Sequence, residues 1–189
     1  MVLELKISLV ESEPPIWRRV IVPEFLTLAD LHRVIQIVMG WQNSHLHEFE
    51  VSGERYTEFE EDIQSGAGDS TAFTLRSLRL NREDQTFLYN YDFGDDWLHK
   101  IVVESSRPAD DSVKLPVCVA GRRAGPPEDS GGVHRYAYLL EAVSDPANPD
   151  HQELSAWLPS DFDPEAFDVD RVNRDLRRLF SEDDGLPVN

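Results

Sequence analysis

The chain opens on a strict alternation. Leu3, Leu5, Ile7 and Leu9 fall on one side of an extended segment, and Glu4, Lys6 and Ser8 on the other. That period of two predicts a strand over Val2–Val10 with one buried face. Pro14-Pro15 interrupts it, and Ile16–Val22 predicts a second strand antiparallel to the first. The period then changes to that of a helix: Leu28, Leu31, Val34, Ile35 and Val38 make one apolar stripe, with Thr27 as the cap, Asp30 in the first turn and Gly40 as the stop. Alternation returns at His45–Val51, where His45, His47, Phe49 and Val51 share a face. Thr86–Asp92 and Trp97–Val103 predict a hairpin around Phe93-Gly94-Asp95-Asp96.

Between these segments, residues 53–72 read as an acidic loop, and residues 105–132 as irregular chain broken by Pro108, Pro116, Pro126 and Pro127. Helical spacing resumes over Val133–Val143, Asn148–Leu158 and the stripe Val169, Val172, Leu176, Leu179 and Phe180. Asp163-Pro164 offers a start for the last helix, and the tail Asp183–Asn189 reads as loose. Strand, strand, helix, strand, hairpin and then helices predicts an α+β fold. The expected organisation is a single domain over 1–189. It comprises an N-terminal ββαβ unit plus hairpin in a mixed sheet (1–104), an irregular loop (105–132) and a helical extension packed on the core (133–182). The opening ββαβ also resembles a β-grasp arrangement.

Composition narrows the function classes. The 189 residues carry 36 acidic against 18 basic side chains, a net charge of −18, and residues 141–189 alone carry 13 acidic against 4 basic. A field of this sign opposes binding to nucleic acid, which rests largely on basic groups displacing counterions. No stretch is apolar enough for a membrane span and the start has no signal-peptide pattern. The single cysteine, Cys118, suits a reducing cytoplasm and reads as buried and inert. The P-loop, GxGxxG, GxSxG and paired CxxC motifs are all absent.

Three segments could carry chemistry. In Ser44-His45-Leu46-His47-Glu48-Phe49 the two histidines point the same way in a strand, about 6.6 Å apart along it. With His99 from the hairpin they would make a three-imidazole set for a divalent metal. The alternative is three neutral, hydrogen-bonded rings among apolar neighbours. In Tyr89–His99, the carboxylates Asp92, Asp95 and Asp96 crowd a turn between aromatic strands. They suit a hard cation or acid/base work, or simply bond turn amides. In the segment Cys118–Gly132, glycines ahead of a helix suggest an anion nest. Glu128 and Asp129 stand against it, and a rigid loop with a cap is the simpler reading.

Taken in order, PPIWRRVIVP, TLADLHRVIQIVMGW, SHLHEF, YDFGDDWLHKI, PPEDSGG and FDPEAFD resemble the plasmid pRiA4b ORF-3-like family, over nearly the whole chain. The resemblance implies kinship with uncharacterised proteins of bacteria, archaea, plasmids and mobile elements, some carrying a transposon-linked label. It supplies no catalytic residues. Relatives often have further cysteines where this chain has Gly125 and Ser130, which counts against a thiolate zinc site here.

The reading taken from the sequence is a non-enzymatic interaction or regulatory module. Trp17, Arg18, Tyr91, Asp92, Asp95, Trp97 and His99 would form an acidic, aromatic-rich surface for a protein partner with a basic surface. The alternatives are a metal-dependent hydrolase-like enzyme, with His45, His47 and His99 as ligands and Asp92 or Asp95 as base, and a weak nucleic-acid association through local arginines. On the first reading no cofactor is needed; on the second it is a divalent metal.

Overall fold

A computed structural model describes residues 1–110 and 112–182. The expected loose tail, Asp183–Asn189, lies outside the described residues. In chain order the elements are β1 (Val2–Leu9), β2 (Trp17–Pro23), α1 (Leu28–Met39), β3 (His47–Val51), β4 (Glu54–Thr57), α2 (Glu60–Gln64), β5 (Gly68–Asp69), β6 (Thr86–Tyr91) and β7 (Trp97–Arg107). They continue with β8 (Val117–Arg122), α3 (Gly132–Ser144), α4 (His151–Trp157) and α5 (Val169–Glu182). The α+β class is as expected. Among the described residues, eight strands join one mixed sheet in the order β5-β4-β3-β6-β7-β1-β2-β8, in which only β4 and β5 run parallel.

The alternation in β1 sets the core. Leu3, Leu5, Ile7 and Leu9 are buried, and β1 lies between β2 and β7, with Leu5 opposite Val20 on one side and Val103 on the other. One hydrophobic cluster joins this face of the sheet to Leu28, Leu31, Val34, Ile35 and Val38 of α1. The helix is held at both ends as its sequence predicts. Thr27 Oγ1 accepts from the Asp30 amide at 3.0 Å, the Asp30 carboxylate accepts from the Thr27 amide at 3.4 Å, and Gly40 closes the last turn at φ +87°.

The β-grasp likeness does not survive. There β1 would neighbour a parallel strand, but here it pairs antiparallel with β7, and β3 pairs with β4 and β6. The β6–β7 hairpin inserts between the first strand pair and β3.

Four further boundaries differ, and those at β4, α2, β5 and β8 fall on short or edge elements with little apolar patterning. The acidic loop holds β4, α2 and β5; β3 begins at His47 rather than His45; β7 runs on to Arg107; and the irregular stretch 105–132 contains β8. Asp163-Pro164 does not start the last helix. It forms a turn, with the Ala166 amide on Asp163 O at 3.1 Å, and α5 begins at Val169 with Asp168 capping the Arg171 amide at 2.9 Å.

α5 packs against β8 and α1, and Leu176 joins the central core. Asn173 reaches the edge of β8. Its Oδ1 accepts from the Cys118 amide and its Nδ2 donates to the Cys118 carbonyl, both at 2.8 Å. Among the described residues no helix is long and apolar enough to cross a membrane.

Candidate functional site

Three segments far apart in sequence meet beyond the C-terminal end of α1. After Gly40 the chain buries Trp41, whose Nε1 donates to Pro126 O at 2.8 Å and whose ring stacks on Tyr91 at 4.8 Å. The same indole lies edge-on to His99 at 5.4 Å, so one aromatic nucleus ties the 124–131 loop to the β6–β7 hairpin. Polar bonds fix the register. The Gln42 amide donates to Glu128 Oε1 at 2.8 Å, and the Ser44 amide to Tyr91 Oη at 2.9 Å. Tyr91 in turn donates to the Glu128 carboxylate at 3.1 Å, and the Gly131 amide donates to Asp95 Oδ2 at 2.8 Å. Gly132 sits at φ +82°, where a Cβ would come within 2.5 Å of Asp95 O, so only glycine allows the loop this close to the turn.

His45 lies at the centre of this junction, at a bend before β3. Its Nε2 is 3.2 Å from Asp129 Oδ1, 3.4 Å from Glu128 Oε2 and 3.6 Å from Asp92 Oδ2, and it makes no hydrogen bond of acceptable geometry. Ligand atoms of His45, Asp92 and Asp129 all lie within 4.8 Å of one another.

Two of the three carboxylates are held by their far oxygens. Asp92 Oδ1 accepts from the Gly94 amide at 3.0 Å, which leaves Oδ2 turned to His45. Glu128 Oε1 takes the Gln42 amide, and Oε2, which faces His45, also lies 3.2 Å from the Tyr91 hydroxyl. Asp92 and Asp129 both adopt left-handed backbone, at φ +58°. Aspartate tolerates this conformation in tight turns, and Asp84 and Asp96 adopt it too. Burial, followed by the contact with Glu128, pushes the Tyr91 hydroxyl well above its ordinary pKa, so it remains a donor.

The expected three-histidine set does not form. His47 stacks on His32, ring to ring at 3.5 Å and within 5° of parallel, and its Nε2 is 3.7 Å from Glu58. Both nitrogens of His32 are engaged, with Tyr89 Oη and Asn43 Oδ1, each at 2.8 Å. His99 is fully buried, with Nδ1 2.8 Å from Trp97 O. The physical reason is the late start of β3: His45 precedes the strand and escapes its alternation, while His47 and His99 point into the core. Burial, the largest cause in each, lowers the pKa of His32 to about 4, of His47 to about 3 and of His99 to about 4.

The expected aromatic surface is also absent as such. Arg18, Tyr91, Trp97 and His99 are each at most 1% exposed, because they face the core side of their strands. Trp17 is half-buried, beneath Lys6 and Arg19. Of that group Asp92 and Asp95 reach the junction with their carboxylates, and Tyr91 with its hydroxyl alone. Sequence reasoning missed Glu128 and Asp129 as participants and saw them only as repelling anions. The available signal was an acidic pair one residue ahead of Gly131-Gly132, a pattern that permits close docking on another segment. Cys118 is buried, and burial raises its thiol pKa.

The comparisons agree with this architecture. The profile of the plasmid pRiA4b ORF-3-like protein family matches residues 1–171. The uncharacterized protein y4hQ of Sinorhizobium fredii is 37% identical over 174 residues, covering 92% of this chain and 89% of its own. The crystal structure of MM3350 from Methanosarcina mazei Go1, a protein of unknown function, shares 39% identity and a TM-score of 0.81, covering 89% of this chain and 96% of its own. With a profile that spans most of its length and a relative this similar from end to end, the chain belongs to the plasmid pRiA4b ORF-3-like family.

Proposed function

We propose that this protein holds one divalent first-row metal ion between His45, Asp92 and Asp129 and uses it for metal-assisted hydrolysis. Glu128 serves as the base for a metal-bound water. The observation that carries this reading is the convergence of three carboxylate oxygens on a single imidazole nitrogen, two of them aimed by backbone amides on their far oxygens. Such outer contacts orient ligands before the ion arrives. One nitrogen among oxygens suits Mn²⁺ or Zn²⁺. The Asp129 side chain is 74% exposed, so the centre faces solvent on one side, as catalytic sites do and structural ones do not. An ion there would lower the pKa of its water to about 7 and polarise a bound carbonyl or phosphoryl oxygen.

The test is calorimetric titration of chelator-treated protein with Mn²⁺ and Zn²⁺. One ion per chain is expected, with affinity reduced about 10- to 100-fold in His45→Ala and Asp92→Asn. Binding of neither ion at millimolar concentration, or binding indifferent to both substitutions, refutes the metal. Glu128→Gln should retain the ion and lose hydrolysis of nitrophenyl ester or phosphate probes. If the wild type turns over none of them with metal bound, the hydrolytic half of the reading fails.

One observation favours a second reading, an interaction module for a basic protein partner. Leu46 and Phe93 are 45% and 47% exposed beside the acidic cluster, on segments joined by the Asp92 amide bonding Leu46 O at 2.9 Å. Loss of a basic partner in Leu46→Asp, with metal binding unchanged, would favour it.

A further inference from the structure

A cleft of about 530 Å³ opens between the C-terminal end of α1, the 124–128 loop and the segment from Pro159 to Asp175. Val38, Met39, Pro126, Phe162, Phe167 and Val172 give it apolar walls, and Arg18 lines it. Arg18 is 1% exposed. Its Nε donates to Val38 O at 2.6 Å, and its Nη1 to Trp17 O at 2.8 Å and Arg122 O at 3.0 Å. Phe167 covers the guanidinium, with Cζ 4.1 Å from the ring centroid. Gly121 makes room for that ring, since a Cβ there would come within 2.5 Å of Phe167.

Three of the five guanidinium N–H groups are therefore used, all on neutral carbonyls. The two on Nη2 have no acceptor among the described residues, and no carboxylate there pairs with Arg18. A buried charge is costly unless it is paired. Burial lowers the Arg18 pKa only to about 10, so the group stays cationic at neutral pH. An anionic group seated in the cleft would complete both its hydrogen bonds and its charge.

The rim defines which anion. It carries Glu128, Asp161, Asp163, Asp168 and Asp175 against a single further cation, Arg171. That field repels a phosphate dianion and attracts a cation. We infer that the cleft binds a basic α-amino acid. Its carboxylate sits on Arg18 Nη2, its aliphatic stem lies along Phe162, Phe167 and Val172, and its cationic end faces the acidic rim. This inference does not depend on a metal at His45, because only Glu128 belongs to both places.

The experiment is a titration of the full chain, ¹⁵N-labelled, with L-arginine, agmatine and inorganic phosphate in turn. Agmatine keeps the guanidinium and stem of arginine and lacks the carboxylate. L-Arginine should shift the amides of Val38, Gly121 and Phe167 saturably. Agmatine should bind at least about tenfold more weakly, a loss of about 1.4 kcal/mol. Asp161→Asn and Asp175→Asn, both on exposed side chains, should each weaken L-arginine about two- to fivefold without disturbing the fold. Equal binding of agmatine and L-arginine would mean that the rim alone attracts cations, and would overturn the role of Arg18. Tighter binding of phosphate would overturn the ligand class, and the absence of saturable shifts with any of the three would overturn the site.

Discussion

Lowering the pH from 7.5 to 5 should cost this fold about 6 kcal/mol of stability through three buried histidines. His32, His47 and His99 are held neutral by burial, with pKa values near 4, 3 and 4. In the unfolded chain each returns to about 6.5. The unfolded state therefore binds more protons than the native state once pH drops below about 6.5, and stability must fall with pH in that window. Above it the rings are neutral in both states and stability is fully present. At pH 5 an unfolded ring is almost wholly protonated and a native one is not, which amounts to about 2 kcal/mol per ring. Carboxylates contribute mainly below about pH 4.5, so the histidines govern the range from 7 to 5. The assay is urea unfolding followed by tryptophan fluorescence at several pH values, with the slope against denaturant held fixed. Net uptake of nearly three protons on unfolding is expected, and His47→Gln should remove about a third of it. A stability change below about 1 kcal/mol between pH 7.5 and 5 would refute the reasoning, since it would require these rings to protonate in place.

Cys118 should be inert in the native protein. Its thiol is buried and its pKa raised, so modification by an aromatic disulfide reagent should be on the order of a hundredfold slower than in urea, and comparable native and denatured rates would contradict that placement. Gly125→Ala should destabilise by about 1–3 kcal/mol, because the new Cβ collides with the Met39 carbonyl at the end of α1. The same displacement should weaken metal binding by shifting Glu128 and Asp129. An unchanged thermal midpoint in Gly125→Ala would show that the loop sits farther from α1 than described.

The parts of the fold legible in the sequence are those where period and burial coincide. β1 and α1 each bury one complete face, so Leu3, Leu5 and Ile7, and Leu28, Leu31 and Val38, announce their elements without further context. β8 is an edge strand of mixed burial, and nothing in Val117–Arg122 distinguishes it from a loop until β2 is beside it.

The candidate site was half legible. Asp92, Asp95 and His45 stood out by residue type, but their grouping depends on which way His45 leaves α1, a tertiary fact set by Trp41 docking on Pro126. The three histidines looked like a set because their strand spacing matched. Their burial, which spacing does not report, makes two of them core residues. Glu128 and Asp129 come from a loop more than eighty residues after His45, and no local pattern assigns them to it.

Asn173 does at the margin of β8 what another strand would otherwise do. Its amide group satisfies both backbone positions of Cys118, so a side chain from α5 stands where a foreign chain would add itself. The opposite margin ends in the two-residue β5, too short to template a neighbour. An eight-stranded sheet with both rims blunted in this way can remain in a crowded, concentrated environment without growing sideways into its own copies.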